Sequence, residues 1–127
     1  MRHLRSEHGF SFPELLVVIL LVGVLAAIAL PSLLRQTDQG RDAVAKSDAR
    51  NALTAIRACR VGERDYDACQ APRGLPAGVA VTTSADAFTA VAHSASGIDF
   101  KIALRPDGTL HRTCAPAGGA CPADGTW

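Results

Sequence analysis

Aromatic side chains make up only 5% of this 127-residue chain: four Phe, one Tyr and one Trp. A soluble domain built from it has few large anchors for a core. Charge gives no stronger lead. The 13 Lys and Arg nearly balance the 12 Asp and Glu, and setting aside Arg2, Arg5 and Glu7 of the N-terminal leader leaves 11 of each. A balance near zero gives no general case for nucleic-acid binding through bulk charge and no sign of an acidic substrate. Motifs that carry chemistry are missing too: there is no Cys-x-x-Cys, no Gly-rich phosphate loop and no nucleophile elbow. Gly118-Gly119 sits between cysteines and reads as a turn. Ser94, His93 and Asp99 make a triad only on paper, because such neighbours are common. His93 and His111 fall on expected strands, while His3 and His8 belong to the leader. The expectation is a protein that is not an enzyme, with no catalytic set, no cofactor and no metal.

What the chain does have is one long apolar run. From Phe10 to Leu34, Glu14 is the only ionisable side chain. As a helix at 1.5 Å per residue the span is roughly 37 Å, enough to cross a bilayer with some tilt. A carboxylate inside such a segment costs about 2.5–3.5 kcal/mol on insertion scales, so an intramembrane acid marks a functional site by default. The leader, Met1 to Gly9, is basic and has no apolar core of its own. A secretory signal has its apolar region first and its small-residue cleavage site afterwards. Here the order is reversed: cleavage at Gly9 leaves the helix on the protein, starting at Phe10. The positive-inside rule keeps the leader cytoplasmic and puts the rest of the chain outside.

The stretch Gly9-Phe10-Ser11-Phe12-Pro13-Glu14-Leu15-Leu16-Val17-Val18 resembles the N-terminal signature of the type IV pilin family, which includes the pseudopilins of type II secretion. Cut site, aromatic, acid and apolar run occur in the family's order, and Pro31 matches a proline common in the second half of that helix, where it implies a kink. Pro13 stands where many members have an aliphatic residue, and a first helical turn tolerates it. The resemblance implies cleavage between Gly9 and Phe10 by a prepilin peptidase, methylation of the Phe10 amine, and assembly through the N-terminal helix on an inner-membrane platform. It also implies identical or homologous pilin subunits as partners and a single-pass stay in the inner membrane, followed by a periplasmic or cell-surface filament. The resemblance also implies that Phe10 and Glu14 carry assembly, and the physical logic is consistent with it. The freed amine of an incoming subunit pairs with a Glu14 already in the filament, and a subunit out of register leaves a charge unpaired. Glu14 also suits a helix N-terminus, where acids are favoured. A membrane-anchored domain that never polymerises is the alternative of another class.

Cys59, Cys69, Cys114 and Cys121 fall in the exported part, and an even count there reads as a disulfide framework. Three connectivities are possible. Cys59–Cys69 and Cys114–Cys121 are favoured because each pair brackets a short polar or Gly/Pro-rich loop. Zinc is disfavoured by the ten- and seven-residue spacings and by the isolation of His111. The basic residues Arg57, Arg60, Arg64 and Arg73 read either as a solvated face interleaved with Glu63, Asp65 and Asp67, or as a DNA-contacting patch, since some filaments of the resembled family take up DNA.

Beyond the membrane, Ala45, Ala49, Ala52, Leu53 and Ile56 recur at helical spacing and offer an alanine-rich face to a sheet. Gly40 weakens the helix by about 1 kcal/mol relative to Ala and marks a place to bend. A loop is expected from Gly62 to Gly78, then strands at 79–83, 88–93, 98–105 and 109–113, the third alternating most cleanly, with Pro106-Asp107-Gly108 as a tight turn. The expected fold is α+β: a long N-terminal helix packed on a small antiparallel sheet of about four strands. The expected divisions are a leader at 1–9, the helix at 10–60 with 10–34 in the membrane or filament core, and a small β domain at 61–127 holding two disulfides.

Overall fold

A computed structural model describes residues 9–127; the leader up to His8 lies outside the described residues. Its first element is a single helix, α1, Phe12–Gly62, α-helical through both Pro31 and Gly40. The helix starts where the sequence supplies a cap. Ser11 precedes it, and the carboxylate of Glu14 accepts from the Ser11 backbone N–H at 3.4 Å, one half of a capping box. It stops at Gly62, beyond which the chain turns through a short 3-10 segment, Asp67–Cys69, inside what the sequence suggests is a plain loop.

Four strands follow: β1, Val79–Ser84; β2, Ala87–His93; β3, Asp99–Leu104; and β4, Leu110–Ala115. They form one antiparallel meander in the order β1-β2-β3-β4. Alternation fixes its register. Ala90 pairs with Ile102 and Ile102 with Arg112, while Phe88, Ala90 and Ala92 of β2 and Phe100 and Ile102 of β3 bury one face. That settles the face of β2, which the sequence leaves open. The β3–β4 turn closes as its chemistry dictates. Gly108 takes φ +82°, and Asp107 accepts from the Thr109 backbone N–H at 2.8 Å and hydroxyl at 2.6 Å.

The chain divides into two compact units, with the boundary between Leu34 and Arg35. In the unit Arg35–Trp127, Ala45, Ala49, Ala52, Leu53 and Ile56 of α1 share one core with the inner face of the sheet and with Cys69, Cys114 and Cys121. The alanine stripe makes sense here, because small side chains let helix and sheet approach closely when large rings are scarce. Phe88 and Phe100 are the two rings buried in that core, and Tyr66 and Trp127 cover its edges at centroid distances of 5.1 and 5.6 Å. The fold is thus a long N-terminal helix on a four-stranded antiparallel sheet.

Candidate functional site

The segment ahead of α1 and its first turns carry the residues that the sequence singles out. Gly9 and Phe10 precede the helix and are exposed, Phe10 to 80%. Glu14 occupies the third helical position, where its charge complements the positive end of the helix dipole and its carboxylate reaches the Ser11 amide. From Leu15 to Leu34 every side chain is exposed, and the run is apolar around the whole helical circumference. A helix apolar on all sides needs a lipid or protein environment. This one is long and apolar enough to cross a membrane by length and composition. Ser32, one residue past Pro31, returns its hydroxyl to the Ala29 carbonyl at 2.8 Å.

The second unit shows what the remaining residues do. Sγ atoms of Cys59 and Cys69 lie 1.89 Å apart and those of Cys114 and Cys121 2.04 Å apart, so all four cysteines sit in pairs at bonding distance. The paper triad does not assemble, for a simple reason: His93 ends β2, and Ser94, just past the strand, faces the other way. His93 points outward and meets Asp99 at 2.6 Å, while Ser94 turns inward and donates to Asp42 at 2.7 Å. No cluster of metal-ligating side chains exists among the described residues. A cleft of about 420 Å³ between Ala58, Cys59, Glu63, Pro72 and Arg73 holds no nucleophile with an adjacent base. Arg60, one of the four candidate DNA-contacting arginines, is engaged within the chain: its guanidinium stands 5.3 Å from the Tyr66 ring and donates to the Glu63 carbonyl at 2.5 Å.

Two features escape the sequence. Asp42 is a fully buried carboxylate on the same stripe as Ala45 and Ala49. It accepts from the hydroxyls of Ser94 and Ser96 and from the Ala120 backbone N–H at 3.0 Å, with Lys46 close by. Burial opposes its charge. The bonds from Ser96, Ser94 and Ala120, with the Lys46 charge, outweigh that and hold the carboxyl below its ordinary range. The second is an assembly of cations on an indole. Trp127 donates its Nε1–H to the Thr113 carbonyl at 2.8 Å, and Lys46, Arg50 and Arg112 stand 5.9, 5.4 and 5.8 Å from its ring centroid. Asp42 lies three residues before Ala45 on the stripe, but spacing alone does not tell a buried acid from the polar edge of that stripe. Nothing local betrays Trp127.

Comparison with known proteins agrees with the N-terminal geometry. The profile of the prokaryotic N-terminal methylation motif matches residues 4–30. The chain is 32% identical to the type II secretion system core protein G of Pseudomonas aeruginosa, over 58% of this chain and half the length of that protein. It is 28% identical to the type IV wide pilus major component PilA4 of Thermus thermophilus, over 87% of this chain and 90% of that one. With the narrow pilus major component PilA5 of the same organism it shares 32% identity, over 74% and 84% of the two chains. No solved structure matches. With a methylation motif at its start and PilA5 matched over most of its length, the chain belongs to the type IV pilin family.

Proposed function

We propose that this protein is a structural subunit of a type IV pilus or pilus-like filament. The single observation that carries the reading is the apolar helix from Leu15 to Leu34, exposed on every side and preceded by one acid. In this reading a prepilin peptidase cuts between Gly9 and Phe10 and methylates the Phe10 amine. The subunit waits in the inner membrane with Arg35–Trp127 outside, then enters the filament through its N-terminal helix on an assembly platform. Pro31, which cannot donate to the carbonyl four residues back, supplies the point of bending.

Glu14 has two successive roles here. In the free subunit its carboxylate caps α1 through the Ser11 amide, a long bond of 3.4 Å that is readily given up. During assembly it trades that partner for the Phe10 amine of the arriving subunit. Two charges taken out of water offset each other only when they meet, so a misplaced subunit is rejected. The match to the secretion protein supports a second reading, a pseudopilin of type II secretion or DNA uptake, which uses the same assembly chemistry.

Mass spectrometry of the mature N-terminus tests processing: the expected species begins at methylated Phe10. Glu14→Ala tests assembly. We expect sheared filaments to fall by at least about tenfold, as loss of a buried charge pair implies, while subunit accumulates in the membrane. Normal filaments from Glu14→Ala, or a chain that keeps its leader and works as a monomer, would favour a membrane-anchored domain that does not polymerise.

A further inference from the structure

Arg50 and Arg112 are exposed, converge on Trp127 from α1 and β4, and form no ion pair among the described residues. Lys46 adds a third charge, its ammonium committed to the Ala120 carbonyl at 2.8 Å. Arg57 continues the row seven residues beyond Arg50. The indole offsets part of the repulsion among these cations, but a ring quadrupole cannot neutralise them. The same unit carries a complementary segment. Glu63-Arg64-Asp65-Tyr66-Asp67 has three acids and one base, and its acids likewise form no ion pair among the described residues. Beside it stands Val61, 90% exposed.

We propose that the Arg50–Arg112–Trp127 cluster is a docking site for the Glu63–Asp67 segment of a second copy of this chain. This rests on the filament reading and names a contact within it. The geometry opposes closure inside one molecule: about 18 Å of helix axis separates Arg50 from Gly62, the residue just before the acidic segment. Two copies displaced along that axis bring one segment onto the other's cluster. The surfaces that meet are different, so the contact is heterologous and propagates as an open array instead of closing into a two-fold dimer. Trp and Arg are the residue types that anchor interfaces, and Val61 adds an apolar contact at the edge of the acidic segment.

The test uses the full chain in a host with the assembly machinery, comparing sheared filament with membrane-held subunit. Arg50→Glu/Arg112→Glu and Asp65→Arg/Asp67→Arg should each lower filament yield by at least about tenfold, because like charges then face each other. Combining all four should restore yield to within about threefold of the parent, since opposite charges again meet. Arg50→Gln/Arg112→Gln, which keeps the chain's packing, should lower yield severalfold with both disulfides formed. Unchanged filaments in either reversal or in the Gln variant, or no recovery in the combination, would overturn the docking. So would a reversal that spares filaments but abolishes their retention of duplex DNA, which would assign the patch to nucleic acid. Glu14→Ala separates the two readings: if it removes filaments while the reversals do not, only the docking falls. Absence of parental filaments would remove the filament reading and this contact with it.

Discussion

Glu14 and Asp42 are two acids on one helix with opposite needs. Among the described residues Glu14 has only a backbone amide at 3.4 Å, whereas Asp42 has two hydroxyls, one amide and a nearby ammonium. The first is poorly satisfied in the subunit and suited to exchange partners; the second is satisfied and suited to hold three segments together. Asp42→Ala strands Ser94, Ser96 and the Ala120 amide, and should cost on the order of 3 kcal/mol. Thermal unfolding of detergent-solubilised protein, followed by the fluorescence of the lone tryptophan, Trp127, measures it. Gly119 guards the same carboxylate. It takes φ +53°, and a Cβ there would sit 2.9 Å from Asp42 Oδ2 and 3.1 Å from Ile98 Cδ1. Gly119→Ala should therefore destabilise by about 1–2 kcal/mol for the left-handed backbone alone, and the unfolding midpoint should drop with it. The pH dependence follows from the depressed Asp42 carboxyl. In the unfolded chain it protonates near its ordinary 3.8, while the folded form resists. Its stabilisation is complete above that value and drains away as pH falls below it. Asp107 and Asp124, held low by hydrogen bonds from Thr109 and Thr126, add the same sign from exposed turns. An unfolding midpoint that drops with pH below about 4 in the parent, and drops less in Asp42→Asn, is the expected result.

At the scale of elements, the tail 114–127 shows how far local pattern reaches. β3 was legible because its apolar residues alternate with charge, and the β3–β4 turn because Asp107-Gly108 leaves few backbone choices. The helix stripe was legible from Ala45 to Ile56, yet Asp42 was not, since a polar residue on an apolar stripe looks like its edge until Ser94, Ser96 and Ala120 arrive from distant sequence. The tail reads as irregular, but it folds back along β4. The Cys114 amide donates to the Gly125 carbonyl at 2.8 Å, Thr113 bridges to Thr126, and Trp127 closes on Phe100. No periodicity announces such pairing, because each contact is made by one residue. The Cys114–Cys121 link holds the turn in which Gly118 and Cys121 exchange backbone bonds and which presents Ala120 to Asp42. Cys114→Ser/Cys121→Ser should cost about 2.5 kcal/mol by loop entropy. It should also partly uncouple Asp42, so the double substitution and Asp42→Ala should combine to less than their sum in unfolding measurements. Full additivity would show that the loop holds its place without the link.

For the whole molecule, α1 serves two environments with one helix. From Leu15 to Leu34 the helix is almost wholly apolar and exposed on all sides, and beyond Arg35 one stripe is buried against the sheet while the exposed remainder is mostly polar. The two halves therefore ask for different solvents. The unit Arg35–Trp127 contains the buried core of the described residues, all four cysteines and the Asp42 network. A chain starting at Arg35 is expected to fold with both disulfides, to keep the Trp127 environment of the parent, and to sediment as a monomer without detergent. It should form no filament, because Phe10, Glu14 and the apolar run are gone and a few exposed ion pairs contribute only about 0–1 kcal/mol each. The full chain released from the membrane should demand detergent or aggregate, since burying its exposed apolar side chains is worth about 1.5–3 kcal/mol for each large one. Analytical ultracentrifugation of the two chains side by side decides it. Filaments from the shorter chain would place assembly in the sheet-bearing unit and strip the N-terminal helix of its role, whatever its resemblance to a pilin stem.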